Sequence, residues 1–379
     1  MAPGRGAAYG RFGIPPWPLP GARIVLAAPD PATMKPAIAV LLFALWPAGA
    51  CAAACADTDK ACLFAEAKAH PARTLDYWAA TLARPVVDRL GPAPAELVSY
   101  LALDNRMQGF PERPVASRLS AAFLEDVRGA IADLPPRVRR LLGGTFAGVW
   151  FVDDLGGTGF TDLYFDAPER PAGAYIVLDA KVLGKFTANA WATWKENTPF
   201  RPQAGWKLEA RIEAPAHDNR RGAIRYILLH ELGHVLASSR PVHPRWDRTP
   251  KESPEGERLP YFDLSWTVDR AADKYVSRFE REFPLRPSVV YYLGAKLEAK
   301  DMPVAYRALD ATNFPTLYGA TSPADDFAEA FATYVHTILM KRPWEIVISK
   351  DGQAVKTYRP CWDDPRCIEK REILENLLR

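Results

Sequence analysis

Residues 224–236 of this 379-residue chain, IRYILLHELGHVL, are the most informative stretch for predicting its fold. Apolar side chains at helical spacing cover most of the circumference of this stretch, which predicts a buried helix over residues 219–239. Asp218 or Asn219 can cap its first turn. The polar residues His230, Glu231 and His234 therefore need partners inside the protein.

These three residues form an H-E-x-x-H motif. Residues four apart lie one above the other on a helix face, so both imidazoles can reach one metal ion. Glu231 lies beside them, where it can accept a proton from a water molecule that the metal acidifies. The motif predicts one zinc ion per chain, with His230 and His234 as ligands and Glu231 as the general base. A chance match is the alternative, but a buried apolar helix has little other use for these side chains.

Two histidines leave the site incomplete, because a catalytic zinc ion has three protein ligands. Residues 318–331, YGATSPADDFAEAF, carry carboxylates one helical turn apart at Asp325 and Glu329. One carboxylate could bind zinc while the other orients a ligating histidine. Ser322 and Asp325 also have capping-box spacing, with Pro323 at the first helical position, which would explain Asp325 without zinc. We expect Asp325 to be the third ligand, and Glu329 is the alternative.

The two segments together resemble the gluzincin metallopeptidases, in particular the group of anthrax lethal factor and the Pro-Pro endopeptidases. The resemblance covers roughly residues 146–340. It implies that Tyr318 stabilises the oxyanion, that Asp325 binds zinc and that Glu329 lies behind the ligands. The chain departs from the family in having Asp325 where Glu is usual, a side chain shorter by one methylene group.

The remaining sequence predicts an α+β, zincin-like fold, with a small mixed sheet packed on the active helix and helical regions on either side. Strands are predicted at 146–152, 174–178 and 344–348, and helices within 57–142, at 267–283 and from Ser322 to about Met340. The glycines at 156–159 predict a turn, since no Lys-Ser or Lys-Thr follows to make a phosphate loop. We divide the chain into an extension or mis-assigned start (1–33), a signal peptide (34–56), an N-terminal helical region (57–145), a zinc metallopeptidase domain (146–350) and a C-terminal tail (351–379).

Residues 34–56 have the order of a secretory signal, with a Met-Lys start, an apolar run and an alanine-rich end. Cleavage after Ala56 would leave Asp57 as the first residue, and a lipid anchor at Cys51 is the alternative. The apolar run is short for a membrane span, so no transmembrane segment is expected in the mature chain. We therefore expect an exported protein of the periplasm or cell envelope, secreted or lipid-anchored.

The cysteines near the C-terminus are consistent with export of the protein to an oxidising compartment. Cys361 and Cys367 lie close together in the sequence and are predicted to form a disulfide in an oxidising compartment. With this pairing, Cys62 is left without a disulfide partner.

Other candidate residues are weaker. His336 could face the same groove as the motif or be a surface or satisfied core histidine, and His217 and His243 lie in polar loops that suggest no function. Residues 175–178 could be an edge strand that pairs with an extended substrate, or sheet core. Three tryptophans before the active helix could line a pocket, but core packing is the default interpretation: Trp191, Trp194 and Trp206.

The charge and composition of the chain limit the classes of molecule that it is expected to bind. The net charge is +3 and the arginines are scattered, so no nucleic-acid partner is expected. We expect a peptide or protein substrate. Two alternatives stay open: an envelope binding protein that zinc stabilises without turnover, and a peptidase of peptidoglycan cross-links. Glu231 argues against the first, since a structural zinc site needs no base.

Overall fold

The computed structural model describes residues 55–167 and 170–379, so the predicted extension and nearly all of the predicted signal peptide, with Cys51, lie outside the described residues. Helices and several small sheets alternate along the chain, which confirms a mixed class of α and β structure. The helices are α1 Lys60–Lys68, α2 Leu75–Leu82, α3 Ala95–Gln108, α4 Ala121–Ala132, α5 Pro136–Arg140, α6 Ala180–Leu183, α7 Ala188–Asn197, α8 Arg220–Ser239, α9 Pro260–Asp263, α10 Met302–Leu309, α11 Pro323–Tyr334 and α12 Ile368–Leu377. The strands are β1 Leu90–Pro92, β2 Val115–Ala116, β3 Phe146–Asp153, β4 Gly159–Ala167, β5 Arg170–Asp179, β6 Phe200–Arg201, β7 Trp206–Arg211, β8 Trp266–Asp269, β9 Lys274–Ser277, β10 Leu297–Glu298, β11 Glu345–Lys350 and β12 Gln353–Tyr358.

The largest sheet has the strand order β1-β3-β5-β4, with β2 paired to one end of β3. β1 and β5 run parallel to β3, whereas β4 is antiparallel to β5, so the sheet is mixed. β3 and β5 are rich in aromatic and β-branched residues, which favour β-strands. Both strands are largely buried on both faces. Residues 175–178 lie inside β5 and are sheet core, so their interpretation as an edge strand is wrong. The edge belongs to β4, which our sequence analysis missed.

The sheet separates two hydrophobic cores. On one face Trp78 and Tyr100, from α2 and α3, pack with Trp150 and Tyr175 of the sheet. The core on the other face includes α4, α8 and the rest of the chain to the C-terminus. The residues predicted as one N-terminal helical region therefore contribute helices to both sides of the sheet.

Helix α8 is the buried helix that the motif predicted. Its N-cap is Asn219, whose side chain accepts a hydrogen bond from the Gly222 amide at 2.9 Å. Midway along α8, Gly233 touches α11, because a Cβ atom placed there would lie 2.7 Å from the Cα of Ala328. Only glycine allows so close an approach without a shift of one helix, and this contact brings α11 to the histidines of α8.

The helix predicted at 267–283 is wrong. The structure has an antiparallel hairpin there, in which β8 pairs with β9 from Trp266 opposite Ser277 to Asp269 opposite Lys274. Asp273 takes a left-handed conformation in the turn, with φ of 48°, which Asp tolerates better than most residues. Trp266 is buried and donates from Nε1 to Asp326 on α11 at 3.0 Å, so tertiary contacts override the helix propensity of the alanines in the turn.

A second sheet, β12-β11-β7, and the C-terminal residues complete the larger core. α12 reaches α11 through Lys370, whose Nζ lies 2.6 and 2.8 Å from the two carboxylate oxygens of Asp326. The strand predicted at 344–348 is β11, and β12 was missed.

The described part of the chain contains two disulfides. Cys361 is bonded to Cys367, which is the pair expected from the sequence. Cys55 is bonded to Cys62, so the expectation that Cys62 is left over is wrong. The loop between Cys55 and Cys62 is short, and α1 begins within it.

Between Cys55 and Arg379, leaving out the two undescribed residues after Ala167, no helix combines the length and the hydropathy needed to cross a membrane.

Candidate metal centre

Three potential ligand atoms converge between α8 and α11. The Nε2 atoms of His230 and His234 are 3.2 Å apart. Oδ1 of Asp325 lies 3.8 Å from Nε2 of His230 and 3.9 Å from Nε2 of His234. All three residues are buried, and they form a group that could hold a metal ion.

The chemistry of these atoms fits a metal ion better than a metal-free cluster. Among the described residues, Oδ1 of Asp325 has no hydrogen-bond partner although it is buried, which is costly for a carboxylate oxygen. Tetrahedral bonds of about 2.0–2.1 Å to one ion would place ligand atoms about 3.3 Å apart, close to the observed triangle. Burial also raises the pKa of Asp325 to about 7, and a bound cation would favour the ionised form.

The other oxygen of Asp325 is engaged by the start of α11. Ser322 caps this helix, since its hydroxyl accepts from the Asp325 amide at 3.1 Å and donates to Oδ2 at 2.8 Å. Thr321 approaches Oδ2 at 3.3 Å. No bond joins the Ser322 amide to the Asp325 carboxylate in the described chain, so the predicted capping box does not form; Oδ2 of Asp325 instead holds the capping hydroxyl of Ser322, and Oδ1 faces the histidines.

Glu329 lies behind His230, away from the triangle of ligand atoms. Nδ1 of His230 is 3.0 Å from Oε1 of Glu329, and Thr316 donates to Oε2 at 2.8 Å. A carboxylate at Nδ1 favours the tautomer with the proton on Nδ1, which leaves the lone pair of Nε2 for a metal ion. The geometry favours Asp325 as third ligand over Glu329.

Lys195 of α7 holds Glu329 in the ionised state. Its Nζ lies 3.0 Å from Oε1 of Glu329 and 3.4 Å from Oε1 of Glu196, and all three side chains are buried. Burial alone would raise the pKa of Glu329, but the charge of Lys195 and the bond to His230 outweigh it and lower this pKa to about 2. Glu196 accepts in turn from the hydroxyls of Tyr291 and Tyr306. A buried polar network thus extends from His230 to α7 and α10.

The motif glutamate, Glu231, faces the edge strand. Thr161 of β4 donates to its Oε2 at 2.8 Å. Burial raises the pKa of Glu231, opposed by the nearby His230 and by the bond from Thr161. β4 therefore holds one carboxylate oxygen of the residue that the sequence identified as the base.

Tyr318 lies next to the metal centre. Its ring centroid is 5.5 Å from that of His230, and Nζ of Lys195 lies 4.4 Å above the ring. Tyr291 and Tyr292 pack against it at 4.7 and 6.1 Å between centroids. The structure therefore brings together His230, Glu231, His234, Tyr318, Asp325 and Glu329.

Several residues of the site were not identified from the sequence. Lys195 followed by Glu196 has the appearance of an exposed pair on a helix, and no pattern signalled its burial. Thr161 could have been found through the run of aromatic and β-branched residues that marks β4. Tyr292 adopts φ of 65°, a conformation that is an outlier for a bulky residue and that often marks functional sites.

The other histidines and tryptophans that the sequence singled out lie in different surroundings. His336 is a core histidine whose Nε2 lies 2.7 Å from the carbonyl oxygen of Ile212, whereas its buried Nδ1 has no hydrogen-bond partner among the described residues. His217 is exposed, whereas His243 is buried near the metal centre, against our expectation of an unremarkable loop residue. The three tryptophans that precede α8 pack in or against the core, as expected by default: Trp191, Trp194 and Trp206.

Comparison of the chain with protein-family models, with curated proteins and with solved structures found no match.

Proposed function

We propose that this protein is a zinc-dependent metallopeptidase with a zincin-like fold and gluzincin-type ligands, His230, His234 and Asp325. The observation that carries the proposal is the triangle of two imidazole nitrogens and one unpartnered carboxylate oxygen, with the carboxylate of Glu231 on the same helix. Two nitrogens and one oxygen at this spacing suit zinc and leave a fourth position open.

In this proposal, zinc and four residues of the chain each have a separate role in peptide hydrolysis. Zinc, when bound, supplies a Lewis acid that polarises the scissile carbonyl and acidifies a water molecule. Glu231, held by Thr161, accepts the proton of the attacking water and passes it to the leaving amine. Tyr318 donates a hydrogen bond to the oxygen on which negative charge develops. Glu329 fixes the ring of His230, and Lys195 keeps Glu329 ionised.

The alternatives differ in what they require of the site. A zinc-stabilised binding protein would need the ligands but not Glu231, and the bond from Thr161 that orients this carboxylate supports a catalytic role. A peptidase of peptidoglycan cross-links would use the same chemistry on another peptide. Export to the periplasm or cell envelope fits either peptidase.

Cleavage assays test the proposal directly. The zinc-loaded protein is incubated with casein, with a random peptide library and with cross-linked muropeptides, each with and without a chelator. We expect cleavage that the chelator abolishes and added zinc restores. Zinc-loaded, folded protein that cuts none of these substrates would contradict the proposal, and cleavage of muropeptides alone would favour the cell-wall alternative.

A further inference from the structure

Two consecutive tyrosines, Tyr291 and Tyr292, pack on Tyr318 beside the metal centre. Their ring centroids lie 4.7 and 6.1 Å from that of Tyr318, which is itself 5.5 Å from the ring centroid of His230. In an extended chain, successive side chains point to opposite sides, so two neighbours would not both reach one ring. The backbone at this pair therefore departs from an extended conformation.

The departure lies at Tyr292, whose φ of 65° is left-handed. This conformation is an outlier for a bulky side chain and costs free energy. Glycine takes it without that cost, and the chain places a glycine with φ of 101° only two residues later, at Gly294. Bulky residues held in such a conformation cluster at functional sites, which indicates a role for the side chain of Tyr292.

The hydroxyls of the two tyrosines differ in their partners. Tyr291 donates to Oε2 of Glu196 at 2.7 Å. No residue in the part of the chain that the structure describes hydrogen-bonds to the hydroxyl of Tyr292. The oxygen keeps some accessible surface, although Tyr292 as a whole is only 5% exposed. This hydroxyl is therefore available to a ligand.

The charges around the hydroxyl of Tyr292 are those of the metal centre. Burial raises the pKa of this hydroxyl well above its ordinary value of 10.0, and nearby carboxylates raise it further: Glu196, Glu329, Asp325 and Glu231. These carboxylates belong to α7, α8 and α11, three helices that pack around the candidate metal site. The hydroxyl keeps its proton at neutral pH and can donate it in a hydrogen bond.

We propose that Tyr292 is a second hydrogen-bond donor of the active centre, which binds, together with Tyr318, the oxygen on which negative charge develops. The identification of that oxygen as the one of a scissile peptide rests on the proposed peptidase function. A donor fixed in advance beside the developing charge lowers the barrier, and the left-handed backbone fixes Tyr292 in this way. Its phenol forms and breaks no covalent bond.

The variant Tyr292→Phe tests this role. It removes the hydroxyl but keeps the ring, whose centroid lies 5.5 Å from that of Trp194. Because the hydroxyl has no described partner, thermal stability and zinc content should equal those of the wild type. The kcat for a cleaved peptide should fall about a hundredfold with little change in KM, as the loss of an oxyanion donor costs. Tyr77→Phe, in α2 on the opposite face of the sheet, is the matched control and should change neither.

Acetohydroxamic acid tests the hydroxyl without turnover, because it chelates the metal through its oxygens and offers them to nearby donors. Its binding to the zinc-loaded proteins is measured by calorimetry. We expect about tenfold weaker binding to Tyr292→Phe, the loss of one hydrogen bond, and unchanged binding to Tyr77→Phe.

A folded Tyr292→Phe protein with the kcat and the acetohydroxamate affinity of the wild type would overturn the proposal. A rise in KM without a fall in kcat would also overturn it, since it would place the hydroxyl away from the reacting bond. If wild-type protein cuts no peptide, the peptidase function fails, and the acetohydroxamate comparison still decides whether Tyr292 donates at the metal. If Tyr292→Phe does not fold, Tyr292→His, which keeps a donor, should bind acetohydroxamate more tightly than Tyr292→Leu, and equal binding would contradict the assignment.

Discussion

Lys195 distinguishes the roles of Asp325 and Glu329, two of the carboxylates of α11. It pairs with Glu329 in the core, which keeps this carboxylate ionised and directed at Nδ1 of His230. Asp325, one turn earlier, has one oxygen directed at the two histidines, and that oxygen has no hydrogen-bond partner among the described residues. The two acidic residues are therefore expected to differ in what their loss costs.

Glu329→Ala should destabilise the zinc-free protein by roughly 3 kcal/mol, because it leaves the buried charge of Lys195 with a weaker partner, Glu196. Asp325→Ala should cost no more than about 1 kcal/mol, the value of the hydrogen bond that its Oδ2 accepts from Ser322, while abolishing zinc binding. Urea unfolding and zinc titration of both variants measure these effects. Our assignment is wrong if Asp325→Ala retains normal zinc affinity.

His336 allows a prediction on pH. Burial lowers its pKa to about 4, from an ordinary value of 6.5, so it is neutral in the folded protein at pH 7. Between pH 6.5 and 4 the unfolded chain binds a proton that the folded chain does not, so this residue makes stability fall as the pH falls through that window. The loss is about 3 kcal/mol at its largest.

The variant His336→Gln keeps a donor near Ile212 but cannot titrate. Its free energy of unfolding, measured on zinc-free protein, should fall less steeply than that of the wild type between pH 6.5 and 4. His217→Gln, at an exposed histidine, is the matched control and should follow the wild type. Parallel curves for His336→Gln and wild type would show that His336 is not buried in the neutral form.

At the scale of elements, the contact of α8 with α11 sets the spacing of the ligands. Gly233→Ala would place a methyl group 2.7 Å from the Cα of Ala328, so the helices must separate. We expect a loss of about 1–3 kcal/mol of stability, as overpacking costs, and at least tenfold weaker zinc binding because Asp325 moves with α11. Gly144→Ala, where a Cβ meets nothing within 4 Å, is the control.

Thermal unfolding and zinc titration of the two glycine variants provide the comparison. A Gly233→Ala protein with unchanged zinc affinity would mean that the helices adjust without moving Asp325.

The elements also show where sequence reasoning worked. α8 could be predicted because its cap, its apolar residues and its polar motif all lie within one continuous stretch. α11 could be predicted because Ser322 and Pro323 mark its start. The hairpin of β8 and β9 could not, since its side chains are fixed by partners distant in the sequence, such as Asp326.

The residues of the candidate site also differ in whether the sequence alone could identify them. The motif residues and the acidic pair could be identified from spacing, but Lys195 is brought to Glu329 across 134 residues of chain. The short motif places ligands on one helix face, whereas the groups that orient them come from other elements. The order of β5 and β4 in the sheet likewise depends on pairing, and spacing alone left residues 175–178 undecided.

At the scale of the whole molecule, the disulfide between Cys55 and Cys62 constrains processing. Cleavage after Ala56 would remove Cys55 and break this pair. We therefore expect the mature protein to begin at or before Cys55, either through cleavage at the alanines that precede it or with a lipid on Cys51.

Intact-mass analysis of protein from the cell envelope distinguishes these forms, and mass mapping without reduction reports both disulfides. A mature chain that begins at Asp57, with Cys62 as a free thiol, would contradict the prediction.

The proposed reaction is peptide hydrolysis with a zinc ion at His230, His234 and Asp325 and with Glu231 as the base. The most direct test compares wild type with Glu231→Gln for zinc content and for the rate of cleavage of one peptide. We expect about one zinc per chain in both proteins and a rate about a thousandfold or more lower in the variant. Near-normal cleavage by Glu231→Gln, or less than about a tenth of a zinc per chain in wild type supplied with the metal, would contradict it.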